Sequence, residues 1–113
     1  MKEEHHTVTV VHDELFEILN IPNAAEELAR VDLASAITLE IRRRGLTQTQ
    51  AAKVLGIKQP DVSAIMNARI DGFSQERLER LLNALDMEVR IQVGPRPADK
   101  ERAGISVQLV ESF

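Results

Sequence analysis

Residues 47–67 of the chain read TQTQAAKVLGIKQPDVSAIMN. Thr47 and Gln50 form a capping box, in which the Thr47 hydroxyl accepts the Gln50 amide proton and the Gln50 side chain reaches back to the Thr47 backbone. A short helix therefore begins here, and Gly56 ends it because glycine adopts the left-handed backbone without steric cost. Pro60 favours the start of a second short helix, since proline lacks the amide proton that a first helical position leaves unpaired. These signals predict two short helices joined by a sharp turn.

Small and branched apolar residues stand where these two helices would cross. Ala52 is small because the second helix, which we expect to run from Pro60 to about Asn67, crosses close to it. Ile57 and Val62 fill the wedge between the helices. The combination predicts a helix-turn-helix.

Further helices are predicted on both sides of this pair. Upstream, apolar residues at helical spacing over 15–19 precede Pro22, and a longer helix follows from Ala24, capped by Asn23, to Arg44. Downstream, Ser74 caps a helix whose leucines share one face, namely Leu78, Leu81, Leu82 and Leu85. We therefore expect a mainly α fold, a bundle of four to five helices that ends in a C-terminal β-strand or hairpin.

The C-terminal strands are predicted from a change of period. Apolar residues alternate with polar ones over 87–93 and again over 105–109, which is typical of half-buried strands, while residues 1–12 are a tail or an edge strand. Because a lone strand is marginal in water, 87–93 pairs either with 105–109 or with the same strand of a second copy. In the second case its apolar residues form a dimer contact: Val89, Ile91 and Val93.

The charge is distributed unevenly along the chain. The net charge is −4, but residues 42–69 carry six basic residues against one carboxylate, whereas residues 1–41 carry nine carboxylates against two basic residues. Screening over about 10 Å makes the local charge more important than the average for an approaching anion. The helix-turn-helix segment is therefore where we expect a polyanion to bind.

Composition argues against several other function classes. The 113 residues include no cysteine and no glycine-rich phosphate loop, so we predict that the chain is not an enzyme and needs no cofactor. Three aromatic residues are too few for a base-stacking platform. His5, His6 and His12 have no positioned carboxylates around them, so we predict no metal site. Without a long apolar run, the chain is expected to lie in the cytoplasm and not in a membrane.

The motifs resemble those of the Xre-type, lambda-repressor-like helix-turn-helix family, and within it the HigA-like antitoxins of bacterial type II toxin–antitoxin pairs. The resemblance covers about residues 13–93. The antitoxin branch is indicated by the upstream segment 19–28, by the Phe73-Ser74 helix start and by the terminal strand. The remaining matching motifs are Arg44-Gly45-Leu46-Thr47-Gln48, Ala51-Ala52, Leu55-Gly56-Ile57, Gln59-Pro60, Val62-Ser63 and Leu81-Leu82-Asn83-Ala84-Leu85.

The resemblance implies a homodimer that binds a palindromic operator in double-stranded DNA, with the second short helix of each protomer in the major groove. Gln59 is the strongest candidate reader, because a glutamine amide pairs bidentately with adenine. Asp61 and Ala64 depart from the family pattern, in which a long polar residue is common. The implied base readers are Gln59, Asp61, Ser63, Ala64 and Asn67. The implied phosphate contacts are Thr47, Gln48, Lys53, Lys58 and Arg69, with part of Arg42-Arg43-Arg44.

Several functions remain open. The resemblance implies an antitoxin that represses its own operon and neutralises a small basic ribonuclease toxin, for which the acidic residues 1–41 and their extra apolar helix face are the candidate surface. A solitary repressor and a protein-binding adaptor are the alternatives. We predict a tail and short helix at 1–23, a DNA-binding domain at 24–86 and dimerising strands at 87–113.

Overall fold

A computed structural model of the chain describes residues 7–10, as backbone, and residues 24–113. The predicted short helix over 15–19, the Asn23 cap and the three histidines lie outside the described residues. The chain divides into two compact units, residues 30–93 and residues 1–29 together with 94–113. No helix of the described part is both long and apolar enough to cross a bilayer.

Four helices are found in the described residues. They are α1 (Ala24–Arg43), α2 (Gln48–Leu55), α3 (Gln59–Met66) and α4 (Gln75–Ala84). α2 packs against both α3 and α4. The core of the helical unit contains the expected apolar residues, and its largest fully buried side chains are Ile37, Ile41, Ile65, Ile70, Leu78, Leu85 and Val62. The predicted mainly helical fold with a helix-turn-helix is confirmed.

The helix ends follow the local sequence signals. Thr47 Oγ1 accepts a hydrogen bond from the Gln50 amide at 3.1 Å, and Gln50 Oε1 accepts one from the Thr47 amide at 2.9 Å, which completes the capping box. Gly56 ends α2 with a φ of +70°, and its amide donates to the Ala52 carbonyl. Ser74 Oγ accepts from the Arg77 amide at 3.1 Å and so caps α4. Each turn of the helix-turn-helix is therefore defined by residues within four positions of it.

A buried carboxylate joins the ends of two helices. Glu40 is 5% exposed and accepts hydrogen bonds from Arg43 and Arg44. Arg44 also donates to the carbonyl of Leu85, just after α4. The hydrogen bonds from Arg43 lower the pKa of Glu40 to about 2, although burial opposes the shift. The cluster ties the C-terminal end of α1 to that of α4.

The two strands form a sheet that the sequence predicted only in part. β1 (Thr7–Val10) pairs antiparallel with β2 (Val107–Val110), with Thr7 opposite Val110. A C-terminal strand that overlaps the predicted 105–109 region is thus confirmed, and the tail supplies its edge partner.

The predicted strand at 87–93 is wrong for the single chain, since the structure assigns no strand to these residues. Its proposed intrachain partner, the C-terminal strand, pairs with β1 instead. Alternating apolar residues do not make a strand without a neighbouring backbone to bond to. Ile91 and Val93 consequently remain 70% and 94% exposed.

Candidate nucleic-acid interface

One face of helix α3 is buried in the core and another is exposed. Val62 and Ile65 are buried, at 0% and 2% exposure. Gln59, Ser63 and Asn67 follow one another at four-residue spacing and therefore lie in one row along the helix. Gln59 and Asn67 are exposed, and Ser63 is half-buried. Three of the five predicted base readers thus share one row.

The Gln59 side chain is oriented by the helix that precedes it. Its Nε2 donates a hydrogen bond to Gln48 Oε1 at 2.5 Å, which links the first residues of α2 and α3. A primary amide has two N–H donors and one carbonyl acceptor. One donor and the acceptor of Gln59 are therefore left for adenine, whose N7 accepts and whose N6 donates in the major groove.

At the other end of the row, Asn67 is folded back on the helix. Its Nδ2 donates to the Ser63 carbonyl at 2.8 Å and lies 3.4 Å from Ser63 Oγ. Ala68 follows with a φ of +58°, so the chain leaves α3 in the left-handed region. Asn67 and Ser63 therefore support each other locally, with the Asn67 carbonyl oxygen as the acceptor not used in these contacts.

The two residues that depart from the family pattern lie away from that row. Ala64 is half-buried. Asp61 lies in the first turn of α3, and its Oδ2 is 3.7 Å from Arg77 Nη2 of α4. The Arg77 guanidinium carbon also lies 4.5 Å from the centroid of the Phe73 ring. Sequence reasoning missed Arg77, because no local spacing links it to Asp61.

The predicted phosphate contacts differ in how they are engaged. The Thr47 hydroxyl caps α2, and Gln48 accepts from Gln59. Lys53, Lys58 and Arg69 are exposed, and within residues 24–113 their side chains make no hydrogen bond or ion pair. The charges of these three side chains are therefore not compensated by a contact within the described residues.

The arginines at the C-terminal end of α1 make different contacts. Arg43 and Arg44 are paired with Glu40. Arg42 is exposed and lines an open groove of about 300 Å³ together with Leu39, which is 55% exposed, and with Met66 of α3. The other residues that line the groove are Ala34, Ser35, Thr38, Ile65 and Ala68. The extra apolar face predicted for α1 therefore includes an exposed leucine.

No metal site is indicated in the described part of the chain. Within it, no group of three or more histidine, aspartate or glutamate side chains could hold a metal ion. The residues predicted for dimerisation lie after α4, with Val89 half-buried and the next two apolar positions exposed.

Comparisons with known proteins agree with this geometry. A family model described as "Helix-turn-helix domain" matches residues 15–94, which is more than half of the chain. A solved structure named "Putative XRE Family Transcriptional Regulator" has 46% sequence identity and a TM-score of 0.72, and the match covers 76% of this chain and 97% of that one. No curated protein matches the chain.

Proposed function

Because the chain belongs to the Xre-type helix-turn-helix family, we propose that it is a sequence-specific DNA-binding transcriptional regulator that acts in the cytoplasm and represses its own operon. The observation that carries the proposal is the Gln59 amide at the start of α3, which Gln48 orients and which keeps one donor and one acceptor for a base edge. A bidentate pair of this kind gives about 1–3 kcal/mol of discrimination against the wrong base.

Affinity comes from cations around the reading row. Lys53, Lys58 and Arg69 are exposed and contact phosphates, and the free amides at the start of α2 add to them. The net charge of −4 does not by itself prevent this, since charges are screened over about 10 Å at moderate salt and residues 42–69 carry six basic residues against one carboxylate. The local excess of positive charge therefore determines where the duplex binds.

A homodimer supplies the second reading helix. The exposed apolar alternation at Ile91 and Val93 supports pairing of 87–93 with the same segment of a second copy, which would provide the missing backbone neighbour. A two-fold dimer places its two reading helices about 34 Å apart, one turn of the duplex, and so selects a palindromic site.

The test is a gel shift with the DNA that lies upstream of the chain's own gene, at low salt and with protein whose folding is checked by circular dichroism. We expect the protein to retard this DNA. We also expect an unrelated duplex of the same length to compete poorly for the protein. The control is the double variant Gln59→Ala with Ser63→Ala, which we expect to fold and to lose the preference. Absence of retardation by the folded wild-type protein would refute the proposal, and unchanged specificity of the double variant would refute the reading assignment.

A second candidate function is that of an antitoxin for a small basic ribonuclease. The observation that favours it is the exposed Leu39 on α1, which the helical unit does not need for its own core. The test is whether a ribonuclease encoded beside this gene is inhibited by the wild-type protein and less so by Leu39→Lys. If no such gene is present, the chain is a solitary repressor. A protein-binding adaptor, in contrast, would not bind the operator.

A further inference from the structure

The carboxylate of Asp61 has an unfavourable location for a protein that binds DNA through α3. It is the one acidic side chain among residues 42–69, and it lies in the first turn of α3, two residues after Gln59. A carboxylate there stabilises the helix through the macrodipole. The same charge repels the phosphates on either side of the major groove.

Arg77 approaches this carboxylate from α4. The distance of 3.7 Å between Arg77 Nη2 and Asp61 Oδ2 is that of an ion pair, and the side chains are 43% and 42% exposed. Arg77 is itself held in two ways: its amide donates to the Ser74 cap, and its guanidinium stacks over the ring of Phe73, which is 5% exposed. The cation is therefore positioned by the Phe73 ring, just before α4, and not by Asp61 alone.

From this geometry we infer that Arg77 is a positioning residue for DNA readout, which neutralises Asp61 and draws its carboxylate toward α4 and away from the duplex. Asp61 in this account reads no base. The inference rests on the proposed DNA-binding function. It assigns a role in DNA binding to a residue outside the helix-turn-helix, and it explains how α3 carries a carboxylate only two residues after its first candidate reader.

The size of the effect follows from Coulomb's law. A carboxylate that Arg77 no longer holds, and that then lies about 8 Å from a phosphate, weakens binding about 2.3-fold in water, and two flanking phosphates give roughly a fivefold change for each reading helix. A dimer multiplies the two contributions to about 25-fold. The ion pair itself contributes little to folding because both side chains are partly exposed, so removing it should leave the protein folded.

The experiment is a double-mutant cycle measured by operator binding at fixed low salt. Four proteins are compared: wild type, R77A, D61N and the double variant. We expect R77A to weaken binding about fivefold per reading helix, D61N to bind as tightly as wild type or more tightly, and R77A in the D61N background to change binding less than twofold. The matched control is R80A, which removes one positive charge from α4 by breaking the exposed pair with Glu76 and should change affinity less than twofold.

Each other outcome overturns the inference. Equal weakening by R77A in both backgrounds would make Arg77 a direct phosphate contact. Loss of preference at one base pair in D61N alone would make Asp61 a base reader. Melting temperatures of the four proteins separate these results from unfolding. Failure of the wild-type protein to bind any duplex would instead refute the proposed function itself, whereas binding without coupling between the two positions would refute only the role of Arg77.

Discussion

Replacing Glu40 with glutamine should destabilise the helical unit at neutral pH, because Glu40 is the anion between two arginines at the end of α1. Arg43 Nη2 and Nε lie 2.6 and 2.9 Å from its two carboxylate oxygens, and Arg44 Nε lies 2.7 Å from one of them. A neutral amide in this place would leave both guanidinium groups without a counter-charge. The junction between the ends of α1 and α4 would be weakened with it.

The magnitude follows from the pKa of Glu40. The hydrogen bonds from Arg43 hold it at about 2, against an ordinary value of 4.5. That difference corresponds to about 3 kcal/mol, which we reduce to about 2 kcal/mol because the Arg43 side chain is 70% exposed and solvent screens its charge. Since the folded pKa lies below the unfolded one, the stabilisation is complete above about pH 4.5 and is lost as the pH falls toward 2.

The assay is urea unfolding of wild type and E40Q at several pH values between 7 and 2. We expect a difference of about 2 kcal/mol in the free energy of unfolding at pH 7 and roughly half of it at pH 3. The control is E76Q, which breaks the exposed pair with Arg80 and should cost less than about 0.5 kcal/mol. A difference that is absent at pH 7, or that stays constant down to pH 2, would show that the ionised Glu40 carboxylate does not stabilise the helical unit.

Three further predictions concern binding, assembly and backbone conformation. K58A should lower the slope of log affinity against log salt by about one unit for each protomer, whereas an unchanged slope would exclude a phosphate contact. The double variant I91K with V93K should convert a dimer to a monomer in sedimentation experiments, while L39K should not. If the double variant is still a dimer, dimerisation uses another surface. G56A should cost about 1 kcal/mol in unfolding experiments, because its φ is +70° although a Cβ would meet no atom within 4 Å. G72A, which also meets no atom but lacks a positive φ, should cost less than half as much.

The sequence alone was sufficient where the deciding contacts are local. The Thr47 and Gln50 side chains bond each other's backbone amides three residues apart, and Gly56 closes α2 on a carbonyl four residues earlier. Such signals can be recognised from the sequence because the contacting residues are only three or four positions apart. They predicted the bounds of the helices closely, with α1 ending at Arg43 instead of Arg44.

Contacts between distant parts of the chain could not be predicted in this way. Thr7 pairs with Val110, and no local pattern in either strand predicts which strand it pairs with. The period-two pattern at 87–93 describes a surface that suits a strand, but strand formation depends on a neighbouring backbone. The same limit applies to the candidate site. Gln59 was predicted as a reader from the family resemblance and its place at the start of the second short helix, whereas its contact with Gln48 and the pair of Asp61 with Arg77 depend on the packing of three helices.

The most direct test of the account is whether Gln59 reads an adenine in the major groove. Operator duplexes in which single adenines are replaced by 7-deazaadenine lose the N7 acceptor and keep Watson–Crick pairing. We predict that one such replacement in each half-site weakens binding of the wild-type protein about tenfold and leaves binding of Q59A unchanged. Binding that is insensitive at every adenine, or that is weakened equally for both proteins, would contradict the account.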